Sequence, residues 1–285
     1  MIPDPSATPA GLFKKGFAAV ENKMTGMEEI MRKIQGAEDL FVVFSDCTKL
    51  PFVECDETTF DDEVLIFTEK ELAGTKYSVL VERGDIVRVL NLPIKNRLPF
   101  FVSLYSLGVN AVLVNQGTKD EIRIPLENIV RRPDLPRFSN ELRQEMLEKN
   151  IQVKDMQFRV ENPEFHLTSI YFIQLLKSKR AKECEAELKE LNEEMIAHFR
   201  KGSYIAVRSE KNEIPLLKRG ESDCFQPLFT DAQEFMKFQQ KKPDVKLKTS
   251  IVTEAEVMEH LDPAASGIVI NPMGVGIIIR SQKKK

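Results

Sequence analysis

Apolar positions fall into short bounded runs and helical stripes, with no long uninterrupted stretch. From Met27 the residues Met27, Ile30, Met31 and Ile34 recur at three- and four-residue steps, which puts them on one helical face, and Gly36 closes that helix. Leu40-Phe41-Val42-Val43-Phe44 follows as a Val- and Phe-rich run that predicts a buried strand. Residues 1–23, with Pro3, Pro5 and Pro9 among small polar residues, cannot hold a regular element and are expected to form a mobile arm.

The two halves of the chain repeat each other. Leu40-Phe41-Val42-Val43-Phe44-Ser45 corresponds to Tyr204-Ile205-Ala206-Val207-Arg208-Ser209, and Leu50-Pro51-Phe52 to Ile214-Pro215-Leu216, both at an offset of 164 residues. Val64-Leu65-Ile66-Phe67-Thr68-Glu69 corresponds to Gln226-Pro227-Leu228-Phe229-Thr230-Asp231 at 162, and Ala111-Val112-Leu113-Val114-Asn115 to Gly267-Ile268-Val269-Ile270-Asn271 at 156. A slow drift of this kind is what short loop deletions produce. Each copy reads helix, strand, strand, strand, helix, strand, helix, strand, with a further strand at 122–124 and 277–279 after turns holding Gly117 and Gly274. Hairpin-like clusters of strands with short helices between them predict an α+β fold: two tandem copies of a mixed-sheet domain with covering helices. The expected divisions are a first domain over 24–130, a linker over 131–161 with a polar helix at 140–149, a second domain over 162–281 and a basic tail at 282–285.

Helix starts carry their own signals. Thr68 with Glu71, Thr230 with Gln233 and Thr253 with Glu256 have capping-box spacing, so each Thr is expected to cap a helix; Phe67 and Leu72 suit a hydrophobic staple. Asn162-Pro163-Glu164 has the order N-cap, proline, acid, opening a helix through Leu176. A second helix over 181–200 carries Leu188, Leu191 and Met195 on one face and is expected to cover the second sheet.

The second copy resembles the N-terminal domain of the SseB family, named for an enhanced serine sensitivity protein. The resemblance rests on Asn162-Pro163-Glu164, Gly202-Ser203-Tyr204-Ile205-Ala206-Val207, Ile214-Pro215, Leu228-Phe229-Thr230-Asp231 with Glu234-Phe235, and Ser266-Gly267-Ile268-Val269-Ile270-Asn271-Pro272-Met273-Gly274, in that order. It covers 162–280 and extends more weakly to 24–130, where Ala111 stands for Gly267, Gln116 for Pro272, and no Asn-Pro opening precedes Met27. The resemblance implies a bacterial cytoplasmic interaction domain, some of whose relatives occur near secretion or toxin-related systems. It transfers no catalytic residue.

Composition narrows the function. The chain has 285 residues, 42% apolar and 30% charged, an ordinary globular balance with room for two cores. With 41 basic and 44 acidic residues the net charge is −3, so no basic excess points to nucleic acid. No apolar run spans a bilayer and no signal peptide is visible, so a cytoplasmic protein with no membrane partner is expected. Cys47, Cys55, Cys184 and Cys224 lack metal or redox spacing and read as reduced thiols; His166, His198 and His260 read as satisfied or exposed. The acidic run Glu54, Asp56, Glu57, Asp61, Asp62 and Glu63 lacks calcium-loop spacing and reads as a solvated loop. Gly274-Val275-Gly276 precedes a strand rather than a helix and reads as a hairpin turn.

One pair stands out. Asn271 ends an apolar strand before Pro272, where its side chain can bond nearby backbone and fix the turn. The functional reading of the same place is a partner-binding surface of Phe229, Thr230, Asn271 and Pro272. The expected function is a non-catalytic protein-interaction module, an adaptor or immunity-type partner, with another protein as its partner, a homo-oligomer as a further possibility, and no metal or cofactor implied. The alternative is a small-ligand sensor or enzyme with a pocket between the two copies, for which Asp231 and Glu234 are candidate carboxylates although both suit a helix start.

Overall fold

The structure, a computed structural model, describes residues 32, 34, 36–37, 39–132, 160–220, 222–241 and 245–281. The expected N-terminal arm, most of the first helix, the polar helix at 140–149 and the basic tail lie outside the described residues. Of that first helix, Arg32, Ile34 and Gly36 are helical and Ala37 is not, so the helix ends at Gly36.

The fold is α+β, with two mixed six-stranded sheets of the same topology. In the first copy β1 (Phe41–Ser45), β3 (Asp62–Phe67), β4 (Val87–Asn91), β5 (Ala111–Val114) and β6 (Ile122–Pro125) run in the order β4-β1-β3-β5-β6, and β2 (Val53–Cys55) pairs with β3. In the second, β7 (Ser203–Ser209), β9 (Asp223–Phe229), β10 (Leu247–Thr253), β11 (Gly267–Ile270) and β12 (Ile277–Arg280) run β10-β7-β9-β11-β12, with β8 (Leu217–Arg219) on β9. Each sheet holds one parallel pair, β3 with β5 and β9 with β11. Register is conserved between copies: Val42 faces Ile66 and Leu90, and Ala206 faces Leu228 and Ser250. Val42 and Ala206 thus hold one topological position, as the repeat requires.

The central strands are apolar without alternation because helices cover both faces of each sheet. On one face of the first, Val43, Leu65, Phe67 and Leu113 pack against Ala73 and Leu80 of α1 (Lys70–Arg83). On the other, Val42, Val64, Ile66, Val112 and Val114 meet Phe100, Phe101 and Leu104 of α2 (Ile94–Leu104). Arg97 of α2, buried, donates to Ile34 O and Ala37 O at 2.8 and 2.7 Å, tying the preceding helical end to this core. A short helix, α3 (Leu126–Ile129), follows β6.

The second sheet is covered by α4 (Pro163–Lys177), α5 (Glu185–Lys201) and α7 (Glu254–Glu259) on one face, where Phe165, Ile173, Met195, Phe199 and Val257 pack on Tyr204, Ala206, Leu228 and Ile268. On the other face α6 (Ala232–Gln240) packs through Phe238 against Ile205, Val207 and Phe229. Helix α5 starts at Glu185 rather than 181, because 180–184 is taken up by a turn in which Glu183 and Cys184 both donate to Arg180 O.

Helix α4 belongs to both cores. Ile170, Leu167 and Tyr171 pack into the first copy, and Phe165, Phe172 and Ile173 into the second. The chain comes so close here that a Cβ on Gly108, which sits at φ +82°, would lie 2.7 Å from Pro163 O and 2.9 Å from Leu167 Cβ. Among the described residues no helix is long and apolar enough to cross a membrane.

Candidate functional site

The residues singled out in the sequence come together, and they come together twice. Asn271, at φ 51°, ends β11 and accepts from Thr230 N at 3.0 Å through Oδ1, while its Nδ2 donates to Thr230 Oγ1 at 2.8 Å. Its backbone N–H donates to Leu228 O, and its carbonyl accepts from Gly274 N and Gly276 N, which closes the β11–β12 hairpin. Asn115, also at φ 51°, makes the same clasp on Thr68 at 2.9 and 3.1 Å and donates from its backbone to Ile66 O. The device joins the ends of the two parallel strands of each sheet, where Asn tolerates the left-handed conformation and supplies both a donor and an acceptor. Phe229 is buried between Phe235 and Phe238, with ring centroids 5.7 and 5.2 Å away. Thr230 and Asn271 are buried too, so of the four predicted residues Pro272 alone reaches the surface.

The clasp also corrects the expected caps. Thr68 and Thr230 accept from the Asn side chains, and Thr230 donates its hydroxyl to Asp231 Oδ2, so the N-caps fall one residue later, at Glu69 and Asp231. Asp231 accepts from Glu234 N at 3.0 Å, whereas Glu69 makes no side-chain cap bond. The third expected box, Thr253 with Glu256, is present with both reciprocal bonds. Asn162 is the N-cap of α4 but does not cap with its side chain; its amide donates to Ser203 O and Thr230 O, both at 2.8 Å, pinning α4 to the second sheet beside the clasp.

Three side chains of α4 bind the copies together. Gln174 accepts from Val53 N at 3.2 Å and donates to Val53 O at 2.9 Å, imitating a strand neighbour to β2. Tyr171 donates to Asp62 Oδ1 at 2.6 Å; burial raises the phenol's pKa well above its ordinary value, so it stays a donor. His166 is fully buried, and since the Ser106 carbonyl 3.1 Å from its Nδ1 can only accept, Nδ1 carries the proton. Its Nε2 has no partner among the described residues, contrary to the expectation of a satisfied or exposed ring. Burial lowers its pKa; the Glu234 and Asp231 carboxylates oppose that shift, and Lys237 adds to it. The buried Glu234, whose Oε1 pairs with Lys237 at 2.5 Å, leaves Oε2 over Gly274 without a partner among the described residues. Thus both carboxylates weighed for the ligand-binding alternative are buried within the second copy, Asp231 on Thr230 and the start of α6, and Glu234 between Lys237 and Gly274. The sequence carried one sign of the joint between copies: Gln174, a lone amide inside the apolar run 170–176.

The acidic run is not a solvated loop throughout. Glu63 is buried on β3 and bonded to Arg123, which also pairs with Asp56, while Glu54 pairs with Lys76 and Arg83. Burial raises the Glu63 pKa against the pull of Arg123. Among the described residues no group of His, Cys, Asp and Glu has metal-binding geometry.

Two surface features remain open. A cleft of about 390 Å³ between the copies is lined by Phe52, Val53, Arg83, Tyr171, Gln174 and Arg180, and its cations are paired: Arg83 with Glu54 and Asp85, and Arg180 with Asp85. The second feature is β4, the end strand of the first sheet, which borders a groove of about 650 Å³ shared with α1.

No family model matches the chain, and no curated protein matches it. Two solved structures are similar to it at low identity. Anabaena Tic22, titled as protein transport, is 11% identical over 81% of this chain and 85% of its own, with a TM-score of 0.19. Tic22 from Plasmodium falciparum is 8% identical over 82% and 87%, with a TM-score of 0.22.

Proposed function

We propose that the protein is a cytoplasmic, non-catalytic protein-interaction module in which two copies of one domain form a single scaffold for a protein partner. The observation that carries this reading is the open edge at β4. Asp46 N donates to Ile86 O at 2.9 Å and Leu92 N to Leu40 O at 2.6 Å, so alternate residues of β4 face β1. Val87, Val89 and Asn91 therefore turn their N–H and C=O groups outward, where no described strand pairs with them. An unpaired edge is a template for another chain, and natural sheets that keep one in the open usually blunt it with charged side chains, proline, a bulge or a covering loop; of these β4 carries one charge, Arg88, and no proline. The side-chain amides of the two clasps and of α4 support the same reading, because Asn115, Asn162, Asn271 and Gln174 each hold main chain.

Affinity capture with the full chain as bait tests it, followed by direct binding between the purified chain and each captured protein. A protein that binds in purified form is the expected result; capture that returns none contradicts the reading. The cleft between the copies favours a second reading, a small-ligand sensor. A metabolite screen by thermal shift checks that reading, since a ligand bound only by the native state raises the melting temperature with concentration.

A further inference from the structure

The groove beside β4 has features that the fold itself does not use. Its helical wall is one face of α1, residues Lys70, Gly74 and Tyr77, and its other wall is Phe41, Arg88, Val89 and Asn91. Gly74 lies inside a helix of 14 residues, where glycine is less favourable than alanine by about 1 kcal/mol. Nothing in the described structure lies within 4 Å of the Cβ it lacks, so internal packing does not require it. Phe41 and Val89 are half-buried, and Tyr77 is exposed. The groove is charged unevenly: Asp39 is bonded by Asn91 at 2.6 Å and Arg88 pairs with Asp46, while Lys70 makes no ion pair among the described residues.

Resting on the interaction-module reading, we propose that this groove takes an extended peptide segment of the partner protein, added as a further strand on β4. Its alternate side chains enter between Gly74 and Val89, and an acidic residue meets Lys70. The outward N–H and C=O groups of Val87, Val89 and Asn91 recur at two-residue spacing, which only an extended backbone matches. The missing side chain at Gly74 leaves room for the inserted residue, and the unpaired cation fixes the sign of the peptide's charge.

A phage-displayed library of short random peptides, panned on the full chain, tests this. Enriched sequences are expected to alternate apolar residues and to be net acidic. Three variants then locate the site. Gly74→Leu fills the groove while improving helix propensity. Val89→Pro deletes one outward N–H and no bond to β1, a position where an edge strand tolerates proline. Lys70→Glu reverses the charge. Each is expected to weaken a selected peptide about tenfold or more, with the melting temperature of Gly74→Leu unchanged or higher. Peptides that bind Gly74→Leu and Val89→Pro as tightly as the parent overturn the groove and leave the interaction-module reading standing. No enrichment at all overturns the groove, and only capture without any protein removes the wider reading. Light scattering that shows a dimer abolished by Val89→Pro assigns the edge to a second copy and overturns the proposal as well.

Discussion

Asn271 and Asn115 hold equivalent places in the two copies, so they allow a controlled comparison. Replacing Asn271 with Ala removes two hydrogen bonds to a buried Thr and forces alanine to φ 51°. The expected cost is about 2–4 kcal/mol in urea unfolding, combining the unsatisfied groups with left-handed strain. Asn115→Ala is expected to cost less, because Thr68 is only half-buried and water can reach its freed hydroxyl. Equal and negligible effects would remove the clasp from the account. His166 gives a second residue-scale test. Burial among Glu234, Asp231, Lys237 and the Ser106 carbonyl holds its folded pKa below the ordinary value of about 6.5. A lowered folded pKa means that the unfolded chain binds the proton first, so stability is full above about pH 6.5 and declines as pH falls below it. The melting temperature should drop on acidification, and His166→Gln should flatten that slope; an unchanged slope contradicts the assignment.

At the scale of elements, glycines report how tightly α4 is seated. Gly84 and Gly108 both have positive φ, yet a Cβ on Gly84 meets a side-chain carbon, Lys179 Cβ at 3.1 Å, whereas one on Gly108 strikes the Pro163 carbonyl at 2.7 Å. Gly84→Ala is expected to cost about 1 kcal/mol and Gly108→Ala about 3 kcal/mol or more, because the backbone of α4 must move; calorimetry of both variants measures the difference. Elements are also where the sequence is most readable. Strand runs such as Val64–Phe67 and the 162- and 156-residue offsets led to both sheets, since doubly covered strands are apolar throughout. The caps differ from the spacing at Thr68 and Thr230 because the residues competing for those hydroxyls, Asn115 and Asn271, lie 47 and 41 positions away. Local spacing carries no trace of such a partner. The groove at β4 was illegible for a similar reason: Gly74 is an ordinary helix-weakening residue until the strand across from it is known.

On the scale of the whole molecule, α4 turns a duplication into a unit. It supplies apolar side chains to both cores and polar bonds across the joint, so neither sheet keeps its packing when α4 leaves. Urea unfolding is therefore expected to be one transition, with coincident midpoints by circular dichroism and by fluorescence of the four tyrosines. Two separated transitions would show that the copies unfold independently.

Such a unit presents the β4 edge on a rigid support, and amide hydrogen exchange reads that edge directly. With a captured partner bound, the outward amides of Val87, Val89 and Asn91 should become protected while the inward amides of Arg88 and Leu90, already bonded to β1, change little. Protection elsewhere on the surface with those three amides exchanging as before would contradict the account.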